Sequence, residues 1–300
     1  MRSTLNRYRL AVAFQLRNWL LRHGYHSTPS FLIIGAQKAG TTALYYYLAG
    51  HPSIAPSAEK ELTFFAPEIF ANWPQHPRHP ILWSGDRAAL DDPEMYRRAL
   101  AWYHGNFPLP HSLRGRLTFE ATPEYLYYPR AAQRIFAYNP QMQLIVLLRE
   151  PVQRAFSAWN MYQRFGEYRP LIYAPRRETR AFEDAIHEEI AQIRAGSAPL
   201  EPGYVQRGMY FDQLRRYLGL FPARQLLILD SRELYSRPRE VIHHASRFLG
   251  LPIFEPEGLE PMHLGDYIGA IPPGARDELR AFYAPYNHAL YEFLDRDFGW

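Results

Sequence analysis

Cysteine is absent from this 300-residue chain and lysine is nearly so, with Lys38 and Lys60 standing alone among 34 basic residues. Without thiols there is no disulfide, no thiolate metal site and no cysteine nucleophile, and the chain suits a reducing, cytoplasmic setting. No apolar run approaches the roughly 18 to 20 residues needed to cross a bilayer. The start is punctuated by Arg2, Arg7, Arg9, Arg17 and Arg22, so neither a membrane anchor nor a signal peptide is expected. Repeats and low-complexity segments are missing too. The formal charge of +4 is spread along the chain without a long basic block, which suits a small anionic ligand and does not imply nucleic acid.

What is present supports a large core: 47% of residues are apolar and 15% aromatic. Leu5, Tyr8, Val12, Leu16 and Trp19 recur at helical spacing between arginines, so residues 1–30 read as a basic amphipathic helix and linker. Two roles fit residues 1–24: packing on the chain's own domain, or peripheral contact with a membrane surface. Residues 31–300 read as one α/β domain. Apolar runs at Phe31 to Ile34, Leu117 to Ala121, Gln143 to Leu148 and Gln225 to Leu229 each precede a helical pattern. That alternation predicts a P-loop-like architecture, with a mainly parallel central sheet flanked by helices. Helices are expected at Thr41 to Ala49, Ala181 to Arg194 and Ala275 to Leu294. Between them lie a proline-rich stretch, Pro67 to Asp92, which reads as an acceptor-binding lid, and Leu171 to Pro202, which reads as a second lid or a subunit contact.

The two lysines lie in segments suited to anion chemistry, because an ammonium approaches a single oxygen as a compact point charge where arginine offers a planar fork. Lys38 belongs to the strand-to-helix loop Gly35 to Gly40. Loops of this kind aim backbone N–H groups and a helix N-terminus at a bound anion. Gly35 and Gly40 have Walker A spacing, but Thr41 stands where that motif has lysine. A phosphate remains well served by Lys38, Thr41 and Thr42, with the threonines expected to cap the helix. A magnesium-bound triphosphate is served less well, which leaves a nucleotide kinase or NTPase with a degenerate loop as the alternative.

The run Phe31-Leu32-Ile33-Ile34-Gly35-Ala36-Gln37-Lys38-Ala39-Gly40-Thr41-Thr42 resembles the 5′-phosphosulfate loop of sulfotransferases that use 3′-phosphoadenylyl sulfate (PAPS). Lys60-Glu61-Leu62-Thr63-Phe64-Phe65 is similar to a motif of the glycan-sulfating, heparan sulfate-type branch and its bacterial relatives. In that branch the glutamate deprotonates the acceptor. The chemistry agrees, since an acceptor hydroxyl is a poor nucleophile at neutral pH and a carboxylate within reach helps to remove its proton. Leu62, Phe64 and Phe65 are expected to dehydrate Glu61 partly. Leu147 to Ser157 resembles the family's 3′-phosphate motif and implies phosphate contacts from Arg149 and Ser157; Arg154 could join them or lie exposed on its helix.

Phe119-Glu120-Ala121-Thr122-Pro123-Glu124-Tyr125 looks like the family's segment lining the acceptor site, with alanine at 121 where several heparan-type members carry lysine. Arg207-Gly208-Met209-Tyr210 is similar to a segment lying near the nucleotide. The resemblance implies transfer of a sulfuryl group to a hydroxyl or amine of a glycan, a glycolipid or a small hydroxylated metabolite, with no metal. Catalysis would use Glu61, Lys38 and Lys60; Lys38, Ala39, Gly40, Thr41, Thr42, Arg149, Ser157, Arg207, Gly208 and Tyr210 would bind PAPS. His104 or His111 could replace Glu61 as base, and Trp73, Trp83, Trp102 and Tyr103 offer flat faces to a sugar ring. Pro261 to Pro273 lacks the cysteine pair and the basic run of heparan-type enzymes.

Overall fold

The computed structural model describes residues 19–21, 23–71, 73–84, 87–165, 167, 171–197, 201–256, 258–259 and 267–300. The N-terminal helix expected over residues 1–24 falls almost wholly outside the described residues, as does much of 261–273. Five strands form the central sheet: β1 (Phe31–Gly35), β2 (Ile54–Pro56), β3 (Leu117–Ala121), β4 (Gln143–Leu148) and β5 (Leu226–Asp230). Their order is β2-β3-β1-β4-β5, and every neighbouring pair is parallel. Phe31, Leu32, Ile33 and Ile34 are fully buried, although successive side chains of a strand point to opposite faces. Both faces are therefore covered, which is why these strands read as unbroken apolar runs.

Helix α1 (Thr41–Ala49) packs on β1, β2 and β3, and α7 (Pro238–Phe248) packs against α1. The turn Glu124–Tyr127 lies on β1 and leads to α3 (Ala131–Tyr138). Around this frame sit α2 (Pro93–His104), α4 (Pro151–Gln163), α5 (Phe182–Arg194), α6 (Tyr210–Leu218) and α8 (Pro273–Leu294). A second apolar cluster ties α4 to α5 and α8 through Phe156, Trp159, Ile186, Leu279 and Phe282.

Strands β1, β3 and β4 and helix α1 fall where the sequence predicts them, and β5 begins one residue later. The edge strand β2 is not among the predicted strands: three residues are too few to show a period. Pro67 to Asp92 is not a bare loop but a turn of 3-10 helix at Pro67–Phe70, a helical turn at His79–Leu82 and a two-residue strand pair, Trp83–Ser84 with Arg87–Ala88.

Candidate active site

One cavity of about 420 Å³ opens at the carboxyl ends of the sheet, and all five strands deliver residues to it. Gln37, Lys38, Gly40 and Thr41 follow β1; Glu61 and Thr63 follow β2; Glu124 follows β3. Arg149 and Ser157 follow β4, and Tyr235 follows β5. Ligands in open α/β sheets collect in this crevice because each strand ends there and the next helix begins.

The loop after β1 ends at Gly40, which occupies the N-cap of α1 with φ 101°, a left-handed conformation that disfavours any side chain. A Cβ at this position would also meet Leu234 Cδ2 at 3.2 Å and Leu147 Cδ2 at 3.3 Å. Thr41 and Thr42 are the first helical residues and do not cap the helix as the sequence suggested; its start carries no side-chain cap. The leading N–H groups of a helix without such a cap point at whatever anion the cavity receives. Lys38 is itself held left-handed, at φ 69°.

Arg149 closes one flank. Its Nη1 donates to the Lys38 carbonyl at 2.9 Å and its Nη2 to the Tyr267 hydroxyl at 3.1 Å. Tyr267 in turn donates to Ser157 Oγ at 3.4 Å. Arg149 and Ser157 thus meet through Tyr267, whose position in a sparsely patterned C-terminal loop gives no signal in the sequence. Burial pushes the Tyr267 hydroxyl up, but the Ser157 hydrogen bond and the Arg149 and Lys38 charges outweigh it and leave it below the ordinary phenol value. An arginine fork, a hydroxyl and an acidified phenol are groups of the kind that bond a phosphate dianion. Glu150 supports it by capping α4, accepting from Val152 N at 3.2 Å and Gln153 N at 2.7 Å.

Glu61 faces the same cavity from the segment after β2. Its N–H donates to the Ala121 carbonyl at 3.0 Å, and Thr63 N–H donates to Thr122 Oγ1 at 3.2 Å, which stitches this segment to the end of β3. Glu61 and Thr63 both have φ 62°. Among the described residues only five non-glycine residues have positive φ, and Lys38, Glu61 and Thr63 are three of them. Each such conformation costs about 1 to 3 kcal/mol and persists where the surroundings enforce it, as they do at functional sites. The dehydration expected of Glu61 is not found. Leu62, Phe64 and Phe65 turn into the core, while the Glu61 side chain remains 48% exposed with its carboxylate on the Lys60 ammonium. Lys60 therefore meets Glu61 rather than the cavity, whose lining it does not join.

Four of the expected nucleotide residues lie off the cavity wall. Ala39 is buried beneath the loop, its N–H donating to the Ala36 carbonyl at 3.1 Å. Arg207 is buried, paired with Glu201 and stacked 4.3 Å over the Tyr127 ring. Burial pushes the Glu201 carboxyl up, but Arg207 and Arg176 hold it below the usual range, so both partners stay charged. Gly208 makes room for Tyr283, whose hydroxyl would sit 2.6 Å from a Cβ there. Tyr210 donates to the Arg149 carbonyl at 2.8 Å, so it braces the Arg149 flank from behind. In this segment the one charge is buried and paired with Glu201, away from the cavity lining. Arg154 is likewise fully buried, bonded to the Tyr204 carbonyl, and is neither exposed nor a member of the cluster.

Neither candidate histidine base reaches the cavity. His104 is buried, bonded to the Tyr138 hydroxyl at 2.9 Å and stacked on His26 at 3.9 Å, and burial with His26 pushes it down to about 4. His111 lies 3.3 Å from the Tyr25 hydroxyl. Of the four flat rings proposed for a sugar, only Trp73 lines the cavity; Tyr103 is buried and donates to Glu120 at 3.1 Å.

The residue that sequence reasoning passes over is Glu124. It stands in the quoted segment after β3, but its role depends on a single helical turn that no periodicity reveals. The structure aims it into the cavity, where Gln37 Nε2 donates to its Oε1 at 3.5 Å. Burial, then the Glu61 carboxylate, pushes its carboxyl up to about 7 against the pull of Arg207 and Lys60.

The model of the sulfotransferase domain matches residues 28–263. The mouse (Mus musculus) heparan sulfate glucosamine 3-O-sulfotransferase 3A1 is 31% identical over 94% of this chain and 66% of its own length. The human (Homo sapiens) bifunctional heparan sulfate N-deacetylase/N-sulfotransferase 3 is 31% identical over 74% of this chain and 22% of its own. The chain thus spans from about a fifth to about two-thirds of these relatives. A solved sulfotransferase from Alicyclobacillus acidocaldarius superposes with a TM-score of 0.65 at 30% identity, over 90% of this chain and 97% of that one.

Proposed function

Because this chain belongs to the sulfotransferase family, we propose that its cavity binds PAPS and transfers the sulfuryl group to an acceptor hydroxyl, with a glycan-type acceptor suggested by the named activities of its relatives. The observation that carries this reading is the meeting, in one cavity, of the uncapped loop 37–42, the Arg149–Tyr267–Ser157 cluster and the Glu61 carboxylate. Two phosphate-sized sites with a carboxylate beside them match a bisphosphorylated donor and a proton acceptor.

In this reading the N-terminus of α1, Thr41 and Thr42 hold the 5′-phosphosulfate, and Arg149 and Ser157 hold the 3′-phosphate. Glu61 takes the acceptor proton as the new S–O bond forms. The bond from sulfur to the bridging phosphate oxygen breaks, and adenosine 3′,5′-bisphosphate leaves. Lys38 meets the negative charge that grows on the bridging oxygen, an electrostatic role that needs no rearrangement during the reaction. Lys60 orients Glu61 through their ion pair. No described group of three or more His, Cys, Asp and Glu residues could hold a metal ion, and no described helix is long and apolar enough to cross a membrane.

Calorimetric titration with adenosine 3′,5′-bisphosphate, run beside ATP with magnesium, tests this. Tight binding of the bisphosphate, weakened about ten- to a hundredfold in Arg149→Ala as expected for a charge-assisted contact, is the predicted result. Binding of ATP alone would replace the reading with a kinase.

A further inference from the structure

One side of the cavity is lined by residues to which the donor reading gives no role. Phe70, Trp73, Phe165 and Tyr173 form an aromatic wall on it: the Phe70 and Trp73 rings lie 6.3 Å apart, Trp73 and Tyr173 4.8 Å, and Phe165 and Tyr173 5.3 Å. The wall joins the two insertions, since Phe70 and Trp73 come from one and Tyr173 from the other.

Each described basic side chain beside this wall is already engaged. Arg78 donates to Glu59 at 2.6 Å and to the Glu61 carbonyl at 2.7 Å. Arg176 pairs with Glu201 at 2.5 Å and lies 4.8 Å over the Trp73 ring. Burial, with the Arg78 and Arg176 charges, pushes His76 down to about 4, so it is neutral at pH near 7. Two carboxyl groups, Glu61 and Glu124, face the same space. A polyanionic chain would meet aromatic rings and carboxylates here, with no uncommitted cation beside the wall among the described lining residues.

Glu124 adds a positive requirement. The residue is only 7% exposed, and its Oε2 makes no hydrogen bond, nor does the neighbouring Gln37 Oε1. Two shielded oxygens without partners, on residues that line the cavity, are costly unless a ligand satisfies them, and a hydroxyl, which both donates and accepts, suits either protonation state of Glu124. Glu61 is the base in the reading above, and the segment that carries it is hydrogen-bonded to the strand end from which Glu124 emerges.

This inference rests on that sulfotransfer reading. We propose that Glu124 and Gln37 bind a second hydroxyl of the acceptor, next to the one Glu61 deprotonates, and that the acceptor is an uncharged polyol bearing an apolar body, as in a neutral glycolipid. The head group satisfies the two orphan oxygens, and the apolar body covers the Phe70–Trp73–Tyr173 wall. A simple phenol or alcohol would leave both oxygens unpaired, and a site built to bond a hydroxyl rejects an analogue that lacks it.

The test is calorimetric titration of the protein saturated with adenosine 3′,5′-bisphosphate, using octyl glucoside below its micelle concentration, its mono-deoxy analogues and an N-sulfated heparosan oligosaccharide. Octyl glucoside binds, and at least one deoxy analogue binds about tenfold more weakly. That discrimination falls below about twofold in Glu124→Ala and survives in Glu124→Gln, with bisphosphate affinity unchanged in both. Should Glu124→Ala lose the bisphosphate through misfolding, Gln37→Ala, which removes the other orphan oxygen, gives the same loss of discrimination. Failure of octyl glucoside to bind, discrimination that persists in the alanine variants, or tighter binding of the heparosan overturns the inference. Failure of the wild-type protein to bind the bisphosphate overturns the donor reading instead.

Discussion

Replacing Glu124 by glutamine alters how stability depends on pH, and the structure sets the size of the effect. In the folded protein, burial and the Glu61 carboxylate raise this carboxyl from 4.5 to about 7. A raised carboxyl binds its proton more tightly when folded, so its stabilising contribution is complete below the unfolded value near 4.5 and is lost as pH climbs through 7. At about 1.4 kcal/mol for each unit, the full loss is about 3 kcal/mol, of which about 2 to 3 kcal/mol falls between pH ~5 and ~8. Glutamine keeps the shape and does not ionise. Urea unfolding of both proteins at those two pH values should therefore show the Glu124→Gln variant gaining about 2 to 3 kcal/mol on the wild type from the lower to the higher. A difference that stays within about 0.5 kcal/mol across the range refutes the assignment of a buried, proton-holding carboxyl to this site.

Lys38→Ala should lower turnover by about two orders of magnitude or more, the usual cost of removing one donor that meets transition-state charge, and near-normal turnover in a sulfate-transfer assay removes Lys38 from the mechanism. Glu61→Gln should abolish most turnover while leaving bisphosphate affinity intact; calorimetry that shows affinity falling with turnover makes Glu61 structural. Gly208→Ala forces a Cβ to within 2.6 Å of the Tyr283 hydroxyl, which donates to the Val205 carbonyl at 2.8 Å. Thermal or urea unfolding should find it destabilised by about 1 to 3 kcal/mol, and an unchanged midpoint means that Tyr283 moves aside freely.

Much of the site is legible in the sequence because its parts are local. A buried strand, a glycine-bearing loop and a helix start are consecutive along the chain, so local pattern is enough to place Lys38, Gly40, Thr41 and Thr42, and likewise Arg149 at the end of β4. The motif around Glu61 reveals the residue but not its exposure. The apolar neighbours expected to dry it, Leu62, Phe64 and Phe65, are buried in the core, while the Glu61 side chain stays half exposed beside Lys60. Arg207 reads as a nucleotide ligand only through the resemblance of Arg207-Gly208-Met209-Tyr210 to a family segment. Glu201, six residues earlier, captures it in the interior instead. Tyr267 and Glu124 lie where no repeating pattern exists to be read.

Periodicity and turn chemistry act over a few residues, so the parallel sheet, the anion loop and the order of the motifs can be read along the chain. Tertiary structure alone decided which distant charges neutralise one another, and so which remain for a ligand. Local pattern sets Arg149 at a strand end, but it does not show that carboxylates capture Arg176, Arg78 and Arg207. Only folding brings Glu201 to two of them and Glu59 to the third, leaving Arg149 to the cavity with a phenol and a serine. Pairing depends on distances set by packing across the whole chain, and a charge buried without a partner costs more than local propensity can offset.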